Sequence, residues 1–192
     1  LLIPIFTIYF YIMSKKILIT GGPNTGKTSL FNSLISDGFV GFEEKSREVI
    51  NSYKKKGIDQ LFLTNPLLFS DLLLESRINQ FTDSNKIEIE NVFFDRGIPD
   101  VVAYLDFKKM KYDKQYITAC EKYRYDLVFI LRPWKDIFVN DKERYESFEE
   151  SLEIDKYIYK TYTNFKYNIV EIPNMSIIKR KDFIINNIKN DV

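Results

Sequence analysis

A chain of 192 residues that is 45% apolar and 29% charged has the profile of one globular domain, with length for a substantial core. Its net charge of +1 points to neither a nucleic acid nor an anionic membrane as partner. It has no histidine and a single cysteine, which excludes histidine catalysis, histidine metal ligands, an internal disulfide and a zinc cluster; Cys120 lies in a Tyr-rich helical stretch and reads as buried packing rather than a nucleophile.

Residues 1–12 are almost wholly apolar and contain Pro4. They are too short for a bilayer, which needs about 20 residues, and lack the basic start and small-residue cleavage site of a signal peptide. Met13-Ser14-Lys15-Lys16 then begins abruptly. We read 1–12 as a non-native N-terminal extension, with a membrane anchor as the alternative, and 13–192 as a single domain expected in the cytoplasm.

From Met13 onward strand and helix signals alternate. Ile17-Leu18-Ile19 is a short apolar strand, and 29–35 is amphipathic. Gly38 marks a turn before a strand at 39–42, and a helix over 46–56 stops at Gly57. Pro66 opens a long helix with Leu67, Leu68, Leu72, Leu73, Ile78 and Phe81 at its apolar positions. A buried strand over 91–95 precedes helices over 98–107 and 113–124. A strand over 126–131, closed by Pro133, leads to a helix over 147–165, a strand over 167–172 ended by Pro173, and a helix over 176–189. Such alternation predicts an α/β fold with a mostly parallel sheet covered on both faces. Ligands in these sheets bind beyond the carboxyl ends of the strands, so the residues there carry the functional argument.

After the first strand stands Gly21-Gly22-Pro23-Asn24-Thr25-Gly26-Lys27-Thr28, which fits G-x-x-x-x-G-K-[ST] in its strand–loop–helix context. Backbone N–H groups from Gly21 to Ser29 are expected to cradle phosphates at the helix N-terminus. Lys27 would reach the β- and γ-phosphates and the Thr28 hydroxyl would ligate Mg²⁺. The plainer alternative, a glycine turn before an ordinary helix start, is disfavoured by these flanks.

The strand at 91–95 ends in Asp95-Arg96-Gly97. A carboxylate there can serve Mg²⁺ or act as base on a hydroxyl, and Arg96 has the planar fork that suits a phosphate. Glu43, Glu44 and Arg47 follow the strand at 39–42. The glutamates would supply a base or simply favour a helix N-terminus, and Arg47 would hold the base or the substrate. Positive charge defaults to lysine in this chain, 21 against seven arginines, so an arginine at a strand end reads as one needed for bidentate geometry. Arg47, Arg96, Arg132 and Arg144 stand at or after strand ends. Arg77 and Arg124 do not and read as structural, while Arg180 stays open. For any one arginine a surface ion pair is the plain alternative.

Several segments in order resemble a family of small P-loop proteins known as AAA-type ATPase domains, similar to ribosylnicotinamide kinase and, more distantly, to thymidylate and deoxynucleoside kinases. They are Gly21–Thr28, Glu44 with Arg47, Val92 to Asp100 with Ala103-Tyr104, Tyr125-Asp126, Pro133-Trp134, Asn140-Asp141 with Arg144, and Glu171-Ile172-Pro173 with Arg180. The resemblance covers roughly 15–185. It implies a three-layer P-loop fold with a five-stranded parallel core. It implies ATP and Mg²⁺ at Lys27, Thr28 and Asp95, Glu44 as the base, and a lid over 134–146 carrying Arg144. A true AAA+ motor is not expected in so short a chain, and no Asn-Lys-x-Asp marks a GTPase. The expected activity is therefore ATP- and Mg²⁺-dependent phosphoryl transfer to a nucleoside, nucleotide or vitamin-like acceptor, with Lys27, Asp95, Glu44 and Arg144 catalytic and Arg47, Arg96 and Arg132 on the substrate. The alternative is a nucleotide-dependent regulatory switch acting on a protein partner. Acceptor specificity is expected to reside in 57–82 and 96–107.

Overall fold

The computed structural model describes residues 14–138 and 146–190. Five strands form one sheet in the order β2-β3-β1-β4-β5, every pairing parallel. They are β1 (Lys15–Gly21), β2 (Val40–Phe42), β3 (Asn91–Asp95), β4 (Leu127–Leu131) and β5 (Ile169–Ile172). Among the described residues eight α-helices connect and cover them: α1 (Lys27–Ser36), α2 (Ser46–Lys54), α3 (Leu61–Thr64), α4 (Pro66–Ser84), α5 (Ile98–Phe107), α6 (Lys114–Lys122), α7 (Phe148–Asn164) and α8 (Ile177–Asn190). Among the described residues no helix is long and apolar enough to cross a membrane.

Alternation along β1 divides the core. Ile17 and Ile19 point to the face packed with Leu30, Phe31, Leu34 and Ile184, so α1 and α8 cover that side. Leu18 points to the other, where Phe94, Ile154, Ile158 and Tyr162 bring α7 against the sheet. All three β1 residues are fully buried, each worth about 1.5–3 kcal/mol in removal of apolar area from water. A third cluster lies outside the sheet, where Leu73 and Leu74 of α4 meet Ile98, Val101 and Leu105 of α5 and Tyr116 and Cys120 of α6. This outer layer of α4, α5 and α6 buries Cys120 completely.

The elements agree with the sequence reading to within two residues at most ends. The helix expected over 46–56 ends at Lys54, and Gly57 takes the left-handed turn that follows, at φ 86°. The strand expected from 167 begins at Ile169, because Tyr167 turns inward to pack on Tyr162, ring centres 5.4 Å apart. The single turn α3 and a 3₁₀ turn over 135–137 were not expected, and neither is long enough to show a periodic signal.

The register places the functional strand ends together. Ile19 pairs with Asp95 and Gly21 with Leu131, so the ends of β1, β3 and β4 meet at one edge. Phe93, fully buried between the sheet and α1, holds this arrangement with an edge-on contact to Phe39 at 5.3 Å. Phe93→Ala is expected to destabilise the protein by about 3–5 kcal/mol, read as a lowered denaturant midpoint in equilibrium unfolding.

Candidate functional site

The chain leaves β1 at Gly21 and re-enters helix at Lys27, and the loop between is held by its own side chains. Thr25 Oγ1 donates to Gly22 O at 3.1 Å. Lys27 Nζ donates to the same Gly22 O and lies 3.0 Å from Thr25 Oγ1. Gly26 caps α1 in the left-handed region, φ 86°, with no side-chain cap, so the first-turn N–H groups are left facing the loop. That combination of amides and helix end is an anion cradle. Burial pushes the Lys27 amine down to about 7; Arg96 adds to this, and Asp95, Asp100 and Glu44 oppose it.

Thr28 Oγ1 donates to Asp95 Oδ2 at 3.1 Å. Asp95 is buried, and its Oδ1 has no hydrogen-bond partner. Burial raises its carboxyl, Glu44 adds to the rise, and Lys27, Arg96 and the Thr28 hydroxyl oppose it. A hydroxyl beside a carboxylate with one oxygen unengaged fits Mg²⁺, which takes few protein ligands and draws the remainder from phosphate and water. No group of three or more Asp, Glu, Cys or His side chains able to hold a metal occurs among the described residues.

Beyond Asp95 lies a cluster of four charged side chains. Glu44 Oε2 accepts from Arg96 Nε at 2.5 Å, and Oε1 accepts from Arg77 Nη2 at 3.2 Å and from Ser46 N at 3.1 Å. Arg77 also donates to Gly97 O at 2.8 Å. Arg96 Nη1 donates to Asp100 Oδ1 at 3.0 Å and to Gly21 O at 3.3 Å. Asp100 is fully buried and accepts further from Thr20, Tyr162 and Gly97 N at 2.7, 2.6 and 2.9 Å. Burial opposes its charge, but Arg96, Arg77 and the Tyr162 and Thr20 hydroxyls outweigh it and hold the carboxyl below its ordinary value. Arg96 reaches this position with φ 73°, uncommon for a side chain with a Cβ, its N–H fixed on Ile19 O at 3.0 Å. Its guanidinium lies over the Tyr104 ring at 5.6 Å, and burial pushes the Tyr104 hydroxyl up to about 12.

One cleft of about 750 Å³ runs from the loop to this cluster, within the range of small-molecule sites. Lys27, Thr28, Glu44, Asp95 and Arg96 line it together, as do Pro23, Asn24, Thr25, Gly26 and Ser29. Gly21 and Gly22 begin the loop but do not line the cleft. Arg47 lines the mouth from α2 and is exposed. Arg132 does not line the cleft; its Nε pairs with Asp155 Oδ2 at 3.1 Å and its guanidinium covers the Tyr159 ring at 4.8 Å. Arg144 lies outside the described residues.

Two arginines read differently in three dimensions. Arg77, read as structural because it stands at no strand end, is a buried member of the charged cluster. Arg180, left open, is buried at the other end of the cleft, donating to Thr25 O at 3.0 Å with its guanidinium 5.3 Å from the Trp134 ring centre. Arg124 does not line the cleft and donates to Phe165 O at 2.9 Å. Tyr104 and Trp134 entered the sequence reading only through the family pattern, and Asp100 likewise.

The AAA domain family matches residues 16–180, and the chain belongs to that family. No curated protein matches the chain significantly. Among solved structures, it is similar to a deoxyadenosine kinase from M. mycoides with dCMP and dCDP bound, at 17% identity and TM-score 0.70, covering 91% of this chain and 99% of that one. It is similar to thymidylate kinase from Candida albicans at 18% identity and TM-score 0.64, covering 93% and 92%. It is also similar to NadR in complex with NAD and AMP-PNP, at 17% identity and TM-score 0.68, covering 93% of this chain and 49% of that one, so it spans about half of NadR. These likenesses establish the P-loop kinase fold.

Asp100→Asn is expected to destabilise the protein by about 3 kcal/mol at neutral pH, because Arg96 and Arg77 stay buried without their counter-charge. A carboxyl held below its ordinary value of 3.8 contributes stability above that value and loses it as pH falls below it. The variant is therefore expected to show a shallower acid limb below that pH in a series of denaturant titrations.

Proposed function

We propose that this AAA-domain protein is an ATP- and Mg²⁺-dependent kinase that phosphorylates a hydroxyl group of a small molecule. The observation that carries this reading is the continuity of one cleft from the phosphate loop to Glu44 and Arg96. A nucleotide switch needs no such second chamber. The kinase neighbours, among them structures holding AMP-PNP and dATP, support ATP as the donor.

In this reading the loop amides and the α1 N-terminus hold the triphosphate. Lys27 leaves Gly22 O for the phosphate oxygens, where its ammonium neutralises charge. Thr28 and Asp95 would hold Mg²⁺, which supplies electrostatic stabilisation to the phosphates. Arg180 and Trp134 offer a flat cationic and aromatic surface for the base at that end. At the other end Glu44 takes the proton of the acceptor hydroxyl as its oxygen bonds to the γ-phosphorus and the bond to the β-phosphate oxygen breaks. Arg96 keeps Glu44 in place and faces the transferred group, and Arg47 meets the outer part of the acceptor. Arg132 acts elsewhere. Such an enzyme would work in the cytoplasm, where ATP is supplied.

The charge of the inner chamber bears on the acceptor. Arg77 and Arg96 are balanced by Glu44 and Asp100, so this cluster itself offers no excess positive charge to a phosphate monoester. An uncharged alcohol suits that balance.

The test is transfer of labelled γ-phosphate from ATP–Mg²⁺ to paired acceptors, each offered as the alcohol and as its monophosphate: deoxyadenosine, thymidine and ribosylnicotinamide. At least one alcohol is expected to react and to outpace its monophosphate by about tenfold or more, the repulsion costing about 1.4 kcal/mol. Lys27→Ala is expected to lower transfer by about 10²-fold or more with an unchanged circular dichroism spectrum. A faster monophosphate would overturn the alcohol assignment; ATP binding without transfer to any member would count against the kinase reading.

A further inference from the structure

Behind the phosphate loop, α7 crosses the Gly22–Pro23 edge at very close range. Ser151 is fully buried and its hydroxyl donates to Pro23 O at 2.7 Å. One turn on, Asp155 is 2% exposed. A Cβ on Gly22 would stand 2.9 Å from Ser151 O and 3.3 Å from Asp155 Cβ, so only glycine lets the helix seat here. Asp155 Oδ2 is held by Arg132 Nε at 3.1 Å, from the residue that follows β4. Its Oδ1 completes no hydrogen bond, while the Gly22 N–H is near enough to favour the carboxylate.

Gly22 is thus drawn from both sides. Its carbonyl receives Lys27 Nζ and Thr25 Oγ1, and its amide faces Asp155. A bound triphosphate competes for the Lys27 ammonium, which removes one of the two holds on the carbonyl. The hold on the far side, through α7, is independent of the ligand.

We infer that Asp155 and Ser151 are positioning residues for the phosphate loop: the Asp155 charge and the Ser151 hydroxyl keep the Gly22–Pro23 edge in the curve that receives the nucleotide. The inference rests on the nucleotide-binding reading above. The charged groups facing Asp155 are Arg132 at the end of β4, Lys27 of α1 and Glu171 of β5. Burial pushes its carboxyl up to about 6, with Arg132, the Gly22 amide and Lys27 opposing and Glu171 adding. Below that pH the wild-type side chain is protonated and resembles asparagine in charge.

The experiment is calorimetric titration of the full chain with ATP–Mg²⁺, for the unsubstituted protein, Asp155→Asn and Ser151→Ala, at about pH 8 and about pH 5. Near pH 8 each variant is expected to bind about tenfold more weakly, the loss of one hydrogen bond to a charged or buried group. The Asp155→Asn deficit is expected to shrink toward nothing near pH 5, and the Ser151→Ala deficit to persist. Taking the ratio to the unsubstituted protein at each pH cancels the titration of ATP itself. A pH-independent deficit in Asp155→Asn would reduce that residue to packing and overturn its assignment. Unweakened binding in both folded variants overturns the whole inference while leaving the nucleotide reading intact. Failure of the unsubstituted protein to bind ATP–Mg²⁺ overturns both. Should Asp155→Asn not fold, Ser151→Ala decides the case for the α7 contact.

Discussion

Glu44, Arg77, Arg96 and Asp100 sit largely out of water, and none of the four could stay charged there without the others. An isolated buried ion costs several kcal/mol even after relaxation. Each here has at least two partners, and Asp100 accepts hydrogen bonds from four groups. The cluster joins the chain after β2, the middle of α4, the end of β3, the first turn of α5 and, through Tyr162, α7. It therefore acts as a joint of the fold as well as one wall of the cleft. The backbone of Arg96 accepts an uncommon conformation to take part, and such outliers persist only where the surroundings over-determine them.

The two ends of the cleft differ in what their charges do. At the loop, Lys27 and Asp95 each keep a weak or missing partner: the lysine rests on a backbone carbonyl, and one aspartate oxygen is unengaged. These groups are ready to change partners. In the four-charge cluster the partners are charged and mutual, and each guanidinium divides its N–H groups between acceptors. Arginine is suited to that setting because its planar fork satisfies two acceptors at once, where a lysine ammonium would act as a point charge. The chain's marked preference for lysine elsewhere makes the concentration of arginine here a consequence of geometry rather than of composition.

The sequence carried the fold and the loop legibly because both have local signatures. Apolar runs of strand length bounded by Gly and Pro located all five strands, and the glycine–lysine–threonine spacing located the anion cradle. Strand ends pointed to Asp95, Arg96 and Glu44 for the same reason: in a parallel sheet, chain position converts directly into position at the site. That conversion fails on helices. Arg77, Asp155 and Arg180 lie within helices, and each reaches the site or its support only because of how the helix packs. Arg132 shows the converse, a strand-end arginine whose nearest carboxylate is Asp155 on α7, which turns it away from the cleft. No local pattern distinguishes these cases.

Cys120 offers a way to time the molecule's openings. It is the chain's one thiol, it is fully buried in the outer cluster of α4, α5 and α6, and burial pushes its thiol up to about 12. Since the thiolate is the reactive form, the native state is doubly protected against alkylation, by access and by protonation. Every labelling event must pass through an opening of that layer. The protein thus carries a built-in clock: its rate of thiol capture measures how often the layer of α4, α5 and α6 comes apart, without any engineered probe.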